Sequence, residues 1–218
     1  MPLLTETRGR VRLLTLNRPE KRNALNNALV GAIVESLRAA DADPDVAAVV
    51  IAAAGPGFSA GADLGERAIL IADPEARVAR AALSDAMLAA PGLMGKPVVA
   101  AIHGATVGAG ASLALSCDLV LGAEDLRFAW PEARHDIYPA LVLPMLLRHL
   151  GPKDAFELVA TGRPVLAAEA LARRLVNRVV PREALLEEAC ALAGQAAQYG
   201  AESLRRIKAA INASGVAP

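Results

Sequence analysis

The chain has 218 residues, the size of one globular domain, or of one domain with a short appendage. Lys+Arg and Asp+Glu both total 23, and the zero net charge excludes a broad electrostatic footprint for nucleic acid or acidic membranes. Aromatic residues make up 3% of the chain, too few for base-stacking platforms, whereas 54% is apolar and much of that alanine, which implies closely packed helices and buried strands.

In chain order, Met1 to Arg12 carries no apolar h-region of a signal peptide. Val11 to Leu16 reads as a first strand, closed by Asn17-Arg18-Pro19. Asn26 to Ala40 reads as a helix, because Leu29, Ile33 and Leu37 recur on one face. Val46 to Ala53 is a continuous apolar run, the signature of a parallel strand covered on both faces. After the break at Gly55-Pro56-Gly57, Asp63 starts another helix, and Glu66 three residues later completes a capping box. Pro74 to Ala90 is helical, with Pro91-Gly92 after it. Pro97 to Cys117 lacks Lys, Arg, Asp and Glu, but its small residues, His103 and the breaks at Gly104 and Gly108 make it buried core rather than a membrane span. It splits into a strand, Val98 to Ile102, and a helix entered through glycines, Gly108 to Ser116. Leu119 to Gly122 is a short strand and Val176 to Val180 an extended piece. Lys153 to Ala160, Ala167 to Arg174, Arg182 to Gln198 and Ala201 to Asn212 are helical. The pattern is α/β, with a helical C-terminal part. Cys117 and Cys190 are too few for a disulfide framework and read as reduced core residues, as expected in a cytosol.

Gly57-Phe58-Ser59-Ala60-Gly61 fits the G-x-S-x-G nucleophile elbow of serine hydrolases, with His103, His135 and His149 available as partners. However, Gly55-Pro56-Gly57 separates the serine from its strand, and nothing upstream resembles an oxyanion loop; Ser59 reads as a turn residue. The histidines are scattered without metal-ligand spacing, so no metal is expected.

Two segments share a physical logic: Phe58 to Leu64, and His103 to Gly110. Each follows a buried strand, is rich in small residues and leads into a helix, a junction that leaves backbone N–H groups unpaired. Side by side, two such junctions aim donors at one carbonyl oxygen, and a well-placed donor to a developing oxyanion is worth roughly 3–4 kcal/mol.

Asn17 to Leu25, Ser59 to Leu64, and Lys96 to Gly104 followed by Gly108-Ala109-Gly110 together resemble the enoyl-CoA hydratase/isomerase (crotonase) family. Ser116 to Val120, Phe128 to Glu132, Thr161-Gly162-Arg163 and Val176 to Pro181 continue the match in order along nearly the whole chain. The resemblance implies a crotonase-like spiral of ββα units over residues 1–165, with a shortened helical C-terminal region over 166–218. It implies that the amides of Ala62 and Ala109 form an oxyanion hole and that Glu132 is the general acid/base. It places the CoA thioester near Arg22, Ala24, Ala60, Gly61, Ala62, Asp63 and Leu64, with Thr106, Gly108, Ala109, Pro131 and Tyr138 completing the pocket. Tyr138 to Val142 shapes the acyl end. Family hydratases commonly carry a second glutamate; its position here is Ser112. Ala109 replaces a usual glycine, and His135-Asp136 replaces an apolar residue and glycine, so that Asp136 can add a carboxylate near the site. The family also implies a homotrimer, often paired into a hexamer, and more helix past the region of Ile211.

The expected activity is therefore addition of water to a 2-enoyl-CoA, in the cytoplasm, with an acyl-CoA thioester as partner and no cofactor beyond the coenzyme A of the substrate. The missing second glutamate favours an alternative, double-bond isomerisation by Glu132 alone. A third reading is an acyl-CoA-binding or assembly subunit without turnover, and the last is a serine hydrolase at Ser59.

Overall fold

The computed structural model describes residues 1–66 and 72–214. A six-stranded sheet forms its centre, in the order β1 (Leu3–Arg8), β2 (Val11–Leu16), β3 (Ala48–Ala53), β4 (Val98–Ile102), β6 (Leu119–Ala123), β9 (Arg178–Val180). Only the β1–β2 hairpin is antiparallel; every other neighbour pair in this sheet is parallel. A small sheet stands beside it, with β7 (Arg127–Ala129) between β5 (Ala105–Val107) and β8 (Val165–Leu166).

The continuous apolar runs follow from burial on both faces. Val49, Ile51, Val98, Ala100 and Ile102 face a core shared with α1 (Asn27–Ala42), α2 (Pro74–Leu93) and α3 (Ala109–Ser116). Their neighbours Ala48, Val50, Ala52, Val99 and Ala101 face the other way, against Leu185, Ala189 and Ala193 of α7 (Leu185–Ala196). The period of two along each strand thus feeds two cores at once.

The chain winds as a spiral. β4 runs in the large sheet, β5 in the small sheet, and α3 returns; β6 and β7 repeat the move one strand further on. The segment after β3 makes the same step, since Ser59 bridges Thr106 of β5 in parallel. The remaining helices are α4 (Val142–Leu147), α5 (Pro152–Thr161), α6 (Ala167–Ala172) and α8 (Ala201–Ser214). Lys208 ties α8 to the body of the fold. Its buried ammonium reaches Asp118 Oδ2 at 2.6 Å and donates to the carbonyls of Pro91 and Lys96.

Some elements depart from the sequence reading. β1 is additional: only Leu3 of its six residues is buried, so an edge strand rich in Thr, Glu and Arg shows no apolar pattern. α2 continues three residues past Ala90 with Pro91 inside it; Pro91 gives up one helical hydrogen bond, its carbonyl accepts from Lys208, and the helix ends two residues later at Leu93. α4 is also additional, and Arg182–Ala184 is a 3₁₀ turn preceding α7. The capping box at Asp63 is half formed. Asp63 Oδ1 accepts from the amides of Gly65 and Glu66 at 3.1 and 3.4 Å, but the Glu66 carboxylate crosses over to cap α1, accepting from Asn27 N–H at 2.8 and 3.0 Å. Helix begins at Leu64; its course beyond Glu66 lies outside the described residues.

Candidate functional site

Three stretches distant in sequence run side by side. Ala60 N–H donates to Arg22 O, Ser59 Oγ to Asn23 O, and Leu25 N–H to Gly61 O, which stitches residues 22–25 to 59–61. On the other flank Phe58 N–H donates to His103 O, Ser59 N–H to Ala105 O, and Val107 N–H to Ser59 O. The packing is so close that a Cβ on Gly61 would stand 2.9 Å from Val107 O and 3.5 Å from Ala109 N. Gly61 also holds φ +88°, a left-handed backbone that favours glycine.

This stitching decides which amides stay free. Gly61 O and Asp63 N–H are both bonded to Leu25, so the intervening Ala62 N–H points the other way. Ala109 is the first residue of α3, where a helix has unpaired N–H groups. Neither amide has a hydrogen-bond partner among the described residues. Both residues line a cavity of about 580 Å³.

Glu132 lines the same cavity. Strand β7 leads to it through Phe128 and Trp130, both fully buried, their rings stacked with centroids 5.4 Å apart. The 3₁₀ turn Glu132–His135 is pinned from outside by Arg134, which donates to Thr161 O at 2.6 and 3.1 Å. The carboxylate lies over Gly108: a Cβ there would stand 2.4 Å from Glu132 Oε1. Glu132 Oε2 is buried without a hydrogen-bond partner, and burial raises the carboxyl's pKa above its ordinary value. A carboxyl in that condition is suited to exchange a proton with a ligand.

The other polar groups of the cavity are mostly engaged. Asp63 accepts from Arg18 Nη1 at 2.9 Å, and this bond is the main reason its pKa is lowered. Arg80 donates to Leu25 O at 2.9 Å, bonds Ser84 Oγ, and stands 3.7 Å from Glu66.

Of the residues expected at the site, Ala60, Gly61, Ala62, Asp63, Leu64, Gly108, Ala109, Pro131, Glu132 and Tyr138 line the cavity. Arg22 and Ala24 are not in the lining; they lie in the stretch stitched to it, where Arg22 O accepts from Ala60 N–H. Thr106 is fully buried between Ser59 and Phe128 and does not reach the cavity. Asp136 is also outside the lining: its φ of +53° closes the turn, which accounts for a glycine being accommodated there, and the side chain is exposed. Ser112 is 1% exposed, bonds back to Gly108 O at 3.3 Å and is absent from the lining.

Ser59 is not placed as a nucleophile. Its hydroxyl is buried, donating to Asn23 O at 2.8 Å and accepting from Gly61 N–H at 3.2 Å, while His103 Nε2 bonds Gly55 O and His149 Nε2 bonds Leu115 O. Sequence reasoning missed the wall supplied by α2. Arg77, Arg80, Ala81 and Ser84 line the cavity at helical spacing, a one-face pattern that polar residues do not announce.

The family model described as "Enoyl-CoA hydratase/isomerase" matches residues 6–216. The chain belongs to the enoyl-CoA hydratase/isomerase family. Its similarity to the 2,3-dehydroadipyl-CoA hydratase of Escherichia coli is 38% identity over 216 residues, covering 97% of this chain and 82% of the relative. Among solved structures, an enoyl-CoA hydratase of Mycobacterium smegmatis superposes with a TM-score of 0.88 at 35% identity, covering 96% of this chain and 81% of the other. A monofunctional enoyl-CoA isomerase from the same genus and species gives 0.82 at 30% identity, with 98% and 93% covered. The crotonase spiral is therefore the fold of this family member, and both activities in the family's name are represented among its relatives.

Proposed function

We propose that this protein is an enoyl-CoA hydratase that adds water across the double bond of a 2-enoyl-CoA. One observation carries the reading: Glu132, whose buried Oε2 has no hydrogen-bond partner, shares a cavity with the two unpaired amides of Ala62 and Ala109. The thioester oxygen accepts from both amides. Glu132 takes a proton from water as the water oxygen bonds to C3. The electrons of the C2=C3 bond move into the thioester as an enolate, whose charge the amides hold. The same carboxyl then returns the proton to C2, so the balance is one water consumed and no net proton change. Burial raises the Glu132 pKa above its ordinary value, the direction that favours its carrying the proton between the two steps.

The reaction draws on no cofactor besides the coenzyme A carried by the substrate, and a homotrimer, or two trimers paired into a hexamer, in the cytoplasm is the setting that goes with it. No helix among the described residues is long and apolar enough to cross a membrane. The test is loss of the conjugated enoyl-thioester absorbance of crotonyl-CoA with the wild type and with Glu132→Gln. Loss that the substitution abolishes supports the reading; an unaltered rate in the variant refutes Glu132 as the acid/base.

Ser112 is buried outside the cavity, and the other carboxylates of the lining, Asp63 and Glu66, are engaged by Arg18 and by Asn27 N–H, which favours isomerisation by Glu132 as the second reading. A lone carboxylate shuttles a proton between C2 and C4 without water. Absorbance gained from a 3-enoyl-CoA, with none lost from crotonyl-CoA, would select it.

A further inference from the structure

The cavity wall made by α2 carries a charge that the hydration chemistry does not use. Arg77, Arg80, Ala81 and Ser84 present one helix face to the cavity. Arg80 is saturated by Leu25 O, Ser84 and Glu66, and Ser84 Oγ donates back to Arg80 O at 2.9 Å. Glu66 is in turn held by Asn27 N–H, and Asp63 by Arg18. The Arg77 guanidinium, by contrast, has no hydrogen-bond or ion-pair partner among the described residues, its backbone N–H alone bonding to Asp73 O. The local sum over Glu66, Arg77 and Arg80 is one surplus positive charge.

The wall also has a direction. Ser84 is buried, Arg80 half-buried and Arg77 exposed, so the face rises from the interior to solvent. The same lining includes an apolar run, Ile137, Pro139, Leu141 and Val142. An acyl chain lying along that surface ends near a guanidinium that is still wet. A carboxylate there keeps part of its hydration and gains a charge-assisted, bidentate partner, so it avoids the cost of burying an unpaired ion.

We propose that Arg77 receives a carboxylate at the far end of the acyl chain, so that the preferred substrate class is the 2-enoyl-CoA of a dicarboxylic acid. This rests on the proposed acyl-CoA function of the cavity. The other anions available to Arg77 are the phosphates of coenzyme A. Those belong to the part of the ligand common to every substrate, so a contact with them would not distinguish one acyl chain from another.

The test compares matched five-carbon thioesters. Turnover is measured with 2-pentenedioyl-CoA and 2-pentenoyl-CoA for the wild type and for Arg77→Gln. Binding is measured by calorimetry with glutaryl-CoA and pentanoyl-CoA, which cannot be hydrated. The expected wild-type preference for the carboxylate partner is about 10-fold in kcat/KM and in Kd. Arg77→Gln is expected to collapse both ratios towards 1. A ratio near 1 in the wild type overturns the proposal. A substitution that weakens both members of each pair equally also overturns it and assigns Arg77 to the coenzyme A phosphates. If nothing turns over but glutaryl-CoA still binds more tightly through Arg77, the hydratase reading fails while the carboxylate site stands.

Discussion

Gly108→Ala isolates the placement of Glu132 from the stability of the fold. Gly108 adopts φ +50° and ψ −119°, a region populated essentially by glycine, and an added Cβ would sit 2.4 Å from Glu132 Oε1. Backbone strain of this kind costs on the order of 1–3 kcal/mol. Ordinary contact needs close to 3.4 Å, so the carboxylate must retreat by about 1 Å. That retreat is easy, since the atom struck is the end of a flexible side chain, and it is the catalytically damaging one. A misplacement of about 1 Å is worth roughly 10²-fold in rate. We therefore expect kcat to fall about 10²-fold, while the melting temperature drops by only roughly 2–12 °C for a chain of this length. The measurements are steady-state kinetics on whichever 2-enoyl-CoA is turned over, and thermal melts followed by circular dichroism. A variant that keeps kcat within about threefold of the wild type would refute the claim that Glu132 acts from above Gly108.

Other substitutions separate chemistry from scaffolding. Glu132→Gln is expected to lower kcat by about 10²–10⁴ with the fold intact. It also has a pH signature: because burial raises the Glu132 pKa above its unfolded value, the ionised carboxylate costs stability that is absent at low pH and appears as pH rises through the folded pKa. Glu132→Gln should thus melt higher than the wild type at neutral pH, and the difference should vanish below the ordinary glutamate range. Ser59→Ala should cost about 1–3 kcal/mol in denaturant melts, by leaving Asn23 O and Gly61 N–H short of a partner, and should reduce turnover far less than Glu132→Gln. Lys208→Met removes the partner of Asp118, a carboxyl whose pKa burial already raises. It should destabilise the fold by about 3 kcal/mol in the same assay, with Lys208→Met/Asp118→Asn partly restored.

Legibility in the sequence followed burial. Val49, Ile51, Val98 and Ile102 are apolar because both sheet faces are covered, and their runs gave the parallel strands directly. β1 escaped because an edge strand with one buried leucine has nothing to repeat. The oxyanion segments were visible as glycine-rich strand-to-helix junctions, whereas their pairing was not, since Ser59 bonding to Ala105 and Val107 is a long-range contact. Glu132 was singled out only by resemblance: a glutamate after proline looks like an ordinary helix start. Arg80 and Glu66 were unreadable for a further reason. Glu66 fits a local capping rule, and the tertiary fold spends it on Asn27 instead.

The stitching of residues 22–25, 59–63 and 103–107 has a consequence for amide exchange. Of the two amides proposed to hold the enolate, Ala62 lies between the bonded amides of Gly61 and Asp63, and Ala109 opens the unpaired first turn of α3 between the bonded amides of Gly108 and Ser112. Ala62 should therefore exchange with deuterium quickly in the free protein, as an isolated fast site within slow surroundings, and Ala109 as part of the fast first turn of α3. An acyl-CoA that seats its carbonyl between them would slow both. Occupancy would become readable residue by residue, even for a thioester that never reacts.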